Sequence, residues 1–458
     1  MLLKNEIVKI EIVDITDEGN GVGKVDGFTI FVPGTAVGDK LRVRLVKLQK
    51  HFGYGIIEEM LEPSPDRIEM DCSVYRQCGG CSLRHISYQA ELAIKQNWVT
   101  QHLRRIGGIT ASVLPIVGSP QVDRYRNKTQ CPIRDDGQGV CLGMFGKRSH
   151  RVIQCTDCKL NPPHFELILQ TVQDFCKKQH ISTYNEEKHD GLLRHVYIRD
   201  AQATDETMVC LVINGDEIPH SDLLIKQLIA NCPSVKSIVF NINKAKTNVI
   251  LGKTCKTLWG KDHITDILCG VKIELSPLSF YQVNREGAEQ LYRIAANFAE
   301  LTGDELLLDL YCGAGTIGLS MAHKVHELIG VEIIPAAIEN AKQNAINNGI
   351  TNARFICDDA KGAAAMLKQQ GLTPNVVILD PPRKGCEPEV LQTVADMNPQ
   401  RIVMVSCNSA TLARDLAVLQ TLGYQTIKAQ PVDMFPRTTH VETIIMMTKC
   451  GSEGKSRL

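Results

Sequence analysis

Aromatic residues make up only 5% of this 458-residue chain, and its formal net charge is zero, with 51 basic residues against 51 acidic ones. A chain so balanced is no polycation, so any contact with nucleic acid has to rest on local patches. No apolar run approaches the ~20 residues that cross a bilayer. The N-terminus, MLLKNEIVKIEIVD, alternates charge with apolarity and lacks the apolar stretch of a secretion signal. Internal repeats and low-complexity tracts are also missing. Cysteine is not scarce: there are 17, an odd number. In a chain expected to be cytoplasmic, these thiols should be reduced, metal-bound or catalytic rather than paired. With 43% hydrophobic and 22% charged residues, the composition is globular, and the length fits about two to four domains.

Residues 1–60 read as short alternating strands punctuated by glycine, the pattern of a small five-stranded, OB-like barrel. In KLRVRLVK, Leu41, Val43 and Leu45 share one face, and Lys40, Arg42 and Arg44 share the other. That basic face is either a solvated exterior or an RNA contact. Residues 61–92 and 123–270 mix helical and strand patterns and form a central α+β region. From 271 to 450 the pattern becomes β-α-β-α with continuous apolar strands, which predicts a buried, mainly parallel sheet covered by helices. The stretch 93–122 is grouped with that α/β domain, and 451–458 is a tail.

LLLDLYCGAGTIGL is a strand, a glycine turn and a helix start. The G-x-G-x-x-G of Gly313, Gly315 and Gly318 serves dinucleotides and S-adenosylmethionine (SAM) alike. Glu332, at the end of the next strand, offers a ribose acceptor to either. VVILDPPRKG separates them. It sets Asp380 at a strand end before two stiffening prolines, a loop useful for holding a flat substrate beside a methylsulfonium. The expected fold class is therefore a class I, Rossmann-like SAM-dependent methyltransferase domain with further domains attached. Amino-group methyltransferases place an aromatic residue after a D/N-P-P motif, and here Arg383 follows, which argues against an amino target.

RIVMVSCNSATLARDL ends a buried strand with a thiol and starts a helix at once. Carbon 5 of uracil is a poor nucleophile until a thiolate adds to C6 and turns the C5=C6 bond into an enolate. A base must later remove the C5 proton. Cys407, at a helix N-terminus that favours a thiolate, and Glu442, just before the last strand, supply those two groups. His195 and His440 are read as positioning residues.

Cys72, Cys78 and Cys81 form C-x5-C-x2-C, and Cys155 and Cys158 follow as C-x2-C. Spacing leaves a structural zinc site and a [4Fe-4S] cluster both open. Basic residues gather in DRYRNKTQ (Arg124, Arg126, Lys128), FGKRSHRV (Lys147, Arg148, Arg151) and GLLRHVYIRD (Arg194, His195, Arg199). Singly these are solvated faces; together they could track phosphates toward an everted base.

SFYQVN, DLYCGAGTIGL, LDPPRKG, SCNSATLARDL and HVET, in that order, resemble the motifs of the TRAM-containing RNA (uracil-C5)-methyltransferase family. The resemblance covers nearly the whole chain. It implies that the barrel is a TRAM domain, that Cys407 is the nucleophile and Glu442 the base. Gln282, Tyr311, Glu332, Asp359 and Asp380 would contact SAM or its surroundings, and Phe280 and Gln282 would hold the flipped base. It also selects the iron–sulfur reading, with Cys72, Cys78, Cys81 and Cys158 as ligands and Cys155 as an extra thiol. The implied substrate is 23S rRNA. Alternatives are a tRNA uracil-5-methyltransferase, an amino-group RNA methyltransferase with a structural Cys407, and a non-catalytic RNA-binding assembly factor.

Overall fold

The structure is a computed structural model that describes residues 2–137 and 139–451; residues 452–458 of the expected tail lie outside the described residues. The N-terminal strands Ile7–Ile15, Asn20–Val25, Phe28–Pro33, Lys40–Leu48 and Phe52–Glu62 close into a barrel. Alternation drives it: Val8, Ile10 and Ile12 point inward with Leu41, Val43 and Leu45. A side chain at Gly55 would run into Val43 at 2.1 Å, so the tight closure depends on glycine there. The basic outer face expected at Lys40, Arg42 and Arg44 is charge-neutralised. Lys40 pairs with Glu62 at 2.8 Å, Arg42 with Glu59 at 3.3 Å and Arg44 with Glu58 at 2.6 Å. The neighbouring strand carries the matching acids, which reading one strand alone does not reveal.

The helix Tyr88–Arg105 begins behind an N-cap at Ser87, whose hydroxyl accepts from the Ala90 N–H at 3.2 Å. It therefore runs through the expected boundary at 92/93. Its Ile94 and Trp98 enter the barrel core, while Val99 and Leu103 join a core of the α/β domain. The Trp98 indole N–H donates to the Ile15 carbonyl at 2.6 Å. Further on, Ser112–Val113 adds to the edge of the C-terminal sheet, parallel to Tyr424–Val432.

The central region is a seven-stranded sheet ordered Thr254–Gly260, Val235–Ile242, Glu206–Ile213, Leu193–Ala201, Lys128–Asp135, Val140–Phe145 and Val152–Gln154. Helices Pro163–Lys178 and Ser221–Asn231 cover one face. The hairpin Ile264–Leu268/Val271–Leu275 and the helix Arg285–Ala299 share a core with the opposite face and with the C-terminal sheet.

The C-terminal sheet has eight strands, ordered Ala353–Cys357, Glu327–Glu332, Leu306–Leu310, Val376–Leu379, Arg401–Ser406, Glu442–Lys449, Tyr424–Val432 and Ser112–Val113. The strand Glu442–Lys449 runs antiparallel to both neighbours. Strand order reverses between Leu306–Leu310 and Val376–Leu379, and the carboxyl ends of strands at such a switch point form a ligand crevice. Among the described residues no helix is long and apolar enough to cross a membrane.

Candidate active site

The crevice is acidic. Asp309 ends the strand before the glycine turn and accepts from the Gly318 N–H at 3.0 Å, while its other oxygen is buried without a partner. Burial, then the nearby Asp380 and Glu332, push its pKa up to about 7. Asp380 is raised to about 7 by burial as well. Glu332 accepts from the N–H groups of Gly313 at 3.3 Å and Ile334 at 3.1 Å, and Ile333 and Ile334 beside it are exposed. Carboxylates this close, one with an orphaned oxygen, suit a cationic ligand that brings its own hydroxyl and ammonium donors. Gly318 is fixed by proximity: a Cβ there would lie 2.8 Å from the Asp309 carboxylate.

Two expected cofactor contacts also carry structural roles. Tyr311 adopts φ +64 to make the turn, and its phenol lies against Cys386. Asp359 caps the helix Ala360–Gln369, accepting from the Gly362 N–H at 2.8 Å.

Cys407 and Glu442 meet across the sheet. Ser406 pairs with Thr443 in the antiparallel ladder, so the residue after one and the residue before the other emerge at the same edge. Glu442 is buried at 4% exposure, and burial, then Asp380, raise its pKa to about 8 against the opposing pull of Arg383. Burial, then Glu442, raise the Cys407 thiol to about 11. The helix N-terminus expected to ionise this thiol is already occupied. Asn408 is the N-cap, and its side-chain oxygen takes the N–H groups of Ala410 and Thr411 at 3.0 and 3.3 Å. His440 has its pKa lowered to about 4 by burial, then by Arg383.

The segment before the glycine turn forms the rim. Phe280 is 70% exposed. Arg199 holds its loop by donating to the carbonyls of Ser276 at 3.1 Å and Ser279 at 2.7 Å. The backbone of Gln282 is fixed by the Asn127 side-chain amide at 2.8 Å, and Asn284 caps the next helix while donating to the Met434 carbonyl at 3.0 Å.

Cys72, Cys78, Cys81, Cys155 and Cys158 line one cavity of about 190 Å³ with Arg126 and Lys128. Among the described residues no three His, Cys, Asp or Glu side chains meet as ligands of a metal ion. The expected ligand set of Cys72, Cys78, Cys81 and Cys158 is thus brought together around a shared cavity, without a ready-made metal shell among the described residues. The Gly80 N–H donates to the Cys78 sulfur at 3.3 Å, and the backbone N–H groups of Leu160 and Asn161 face the Cys158 sulfur.

The expected phosphate track is largely structural. Arg194 donates to the carbonyls of Asn243, Ala245 and Thr247. Arg124 pairs with Asp157 at 2.8 Å. His195 is buried, with its pKa lowered to about 3 by burial. Sequence reasoning missed another surface. Phe31, Phe52 and Tyr54 pack edge-on or tilted against one another on the outer side of the barrel strands, half-buried, with centroids 5.6 to 5.7 Å apart. The alternation in FTIF and HFGYG puts these rings outward, and that signal was present in the sequence.

Comparison with known proteins gives the same assignment. Residues 271–450 match the profile of tRNA (Uracil-5-)-methyltransferase, and residues 2–57 match the TRAM domain. A Halalkalibacterium halodurans protein described as an uncharacterized RNA methyltransferase is 45% identical, over 97% of each chain. A Clostridium tetani protein of the same description is 42% identical, over 99% of this chain and 98% of the other. The structure of Pyrococcus abyssi tRNA (uracil-54, C5)-methyltransferase in complex with S-adenosyl-L-homocysteine superposes with a TM-score of 0.77 at 27% identity, over 96% of this chain and 100% of that one. The chain belongs to the TRAM-containing RNA (uracil-C5)-methyltransferase family.

Proposed function

We propose that this protein methylates C5 of uridine in 23S rRNA, with SAM as methyl donor, through a covalent Cys407–C6 adduct. The observation that carries this reading is the placement of Cys407 beside Glu442 at the ligand edge of the sheet, next to Asp380. SAM is the second substrate and supplies one electrophilic methyl group. Glu332 and Asp380, with Gln282, Tyr311 and Asp359 nearby, would hold it. Asp309 adds an unsatisfied oxygen to that set. The exposed Phe280 and the anchored Gln282 would receive the everted base. Glu442, in its carboxylate form, would take the C5 proton so that sulfur can leave.

The thiols would hold a [4Fe-4S] cluster through Cys72, Cys78, Cys81 and Cys158. A mononuclear zinc site brings four sulfurs to ~2.3 Å from one ion, and a polynuclear cluster instead needs a cavity between them. The N–H groups aimed at Cys78 and Cys158 favour thiolates there. Methyl transfer needs no electron, so the group would act in folding or RNA contact.

A tRNA substrate is the second reading. A specific observation favours it: a tRNA (uracil-54, C5)-methyltransferase shares the architecture over its whole length, so barrel and thiol loop alone do not separate the two RNAs.

The test incubates the protein and SAM with 23S rRNA and tRNA transcripts carrying 5-fluorouridine. Fluorine replaces the proton that Glu442 removes, so a covalent complex at Cys407 accumulates with the true substrate. Cys407→Ala abolishes it. Methylation by the Cys407→Ala protein would overturn the reading.

A further inference from the structure

The loop from Asp433 to Val441 leads from the strand Tyr424–Val432 into Glu442, so its course sets where that carboxyl lies. Arg437 stands five positions before Glu442. Its N–H donates to Glu91 Oε1 at 2.7 Å, in the first turn of the helix Tyr88–Arg105. Its carbonyl accepts from the N–H groups of Ser82 at 2.9 Å and Leu83 at 3.0 Å. Its guanidinium donates to the Ile86 carbonyl at 2.9 Å, and the side chain is only 11% exposed. The backbone sits at φ +69, a left-handed conformation that a residue with a Cβ keeps where its surroundings impose it.

The partners on the carbonyl belong to the thiol loop. Ser82 follows Cys81 directly, so its N–H is one peptide link from a thiol of the cavity. Tyr75, between Cys72 and Cys78, lines the same cavity and donates to the Ser82 carbonyl at 2.9 Å. The Ser82 peptide is thus pinned between the thiols on one side and the loop of the base on the other. The stretch 63–87 holds no helix and only isolated bridges. Its thiols and side-chain bonds, rather than a strand ladder, therefore set its shape.

We propose that Arg437 is a positioning residue: it passes the ligation of the thiol loop on to Glu442, so that a filled cysteine cavity holds the base where it reaches the C5 proton. This rests on the uracil-C5 reading above and on the cluster ligands named there. Ligation of Cys72, Cys78 and Cys81 fixes the peptide that carries the two donors to Arg437. Glu442 acts after methyl transfer. It takes the C5 proton, the C–H pair restores C5=C6, and the C6–S bond breaks to return the Cys407 thiolate. Loosening the loop should slow that last step and spare RNA binding and methyl transfer. The thiol loop thereby serves the reaction without moving an electron.

The experiment follows hydrogen–deuterium exchange by mass spectrometry in anaerobically purified full-length protein, before and after iron is removed with a chelator. Peptides from 433–441 should exchange about tenfold faster without iron, while the barrel strand Ile7–Ile15 keeps its rates. Arg437→Gly suits the positive φ and keeps every thiol, but removes the guanidinium. It should raise exchange in the same segment at unchanged iron content. With unsubstituted RNA it should accumulate the methylated covalent complex at Cys407, lowering kcat with KM unchanged. Arg437→Lys, which keeps a cationic donor, should restore part of both effects. If iron removal also loosens the barrel, the molecule has unfolded, and Arg437→Gly then decides alone. Protein purified without iron, unchanged exchange at 433–441 once iron is removed, or product release at the wild-type rate by Arg437→Gly would each overturn the proposal. Failure of the wild-type protein to trap 5-fluorouridine RNA would instead sink the uracil reading and leave the exchange result standing as a statement about the loop.

Discussion

Glu442 sets the pH behaviour of the site. A carboxyl raised to about 8 in the folded protein, from 4.5, binds its proton natively where the unfolded chain has lost it. Its folded pKa lies above its unfolded one, so the native state loses stability as pH climbs through that window. Glu442→Gln removes this dependence. The variant should match the wild type near pH 4 and gain on it up to pH 8, by ~1–3 kcal/mol at the upper end, read as a widening gap in melting temperature. A gap that does not grow with pH would mean the carboxylate is ionised in the fold. In catalysis the sign reverses. The base works only as carboxylate, so single-turnover product release should speed up as pH rises through about 8.

Two elements hold the loop that leads into Glu442. The helix Tyr88–Arg105 carries Lys95, fully buried, whose ammonium donates to Glu91 at 2.7 Å, to Asp433 at 2.8 Å and to the Phe435 carbonyl at 3.1 Å. Tyr88 donates to the other Asp433 oxygen at 2.9 Å. Lys95→Met strands the buried carboxylates and should cost ~3–5 kcal/mol, and adding Asp433→Asn should recover part of it in denaturant melts. The thiol loop grips the same segment, because the N–H groups of Ser82 and Leu83 donate to the Arg437 carbonyl at 2.9 and 3.0 Å, with Arg437 held at φ +69. If Cys158 is the fourth cluster ligand, Cys158→Ser should lose most of the bound iron of anaerobically purified protein and Cys155→Ser should keep it. The reverse pattern in iron and sulfide analysis would reassign the ligand.

In the whole molecule all three regions converge on that one loop. The central region reaches it through Tyr125, whose hydroxyl donates to the Pro436 carbonyl at 3.1 Å, and Gly19 of the barrel lies against Thr439. The barrel keeps an aromatic face outward at Phe31, Phe52 and Tyr54 while its basic strand is paired with acids. Binding through stacking should tolerate salt better than binding through phosphates. Phe31→Ala with Phe52→Ala should weaken RNA binding by ~1–3 kcal/mol per stacked base. That loss should appear in KM with little change in the single-turnover methylation rate, in filter binding and labelled-methyl assays.

The sequence by itself determined the order of domains, the parallel sheet and the candidate pair Cys407 and Glu442, because these follow from alternation, glycine turns and strand ends, which are local. The charge state of the site was decided by the tertiary structure. The dipole expected to ionise Cys407 is spent on Asn408, and Arg383, 24 positions upstream in sequence, is the cation beside it. The basic barrel face likewise vanished once Glu58, Glu59 and Glu62 came alongside. Ionisation depends on what surrounds a group from every side, and those neighbours come from distant parts of the chain, so only the folded arrangement sets it.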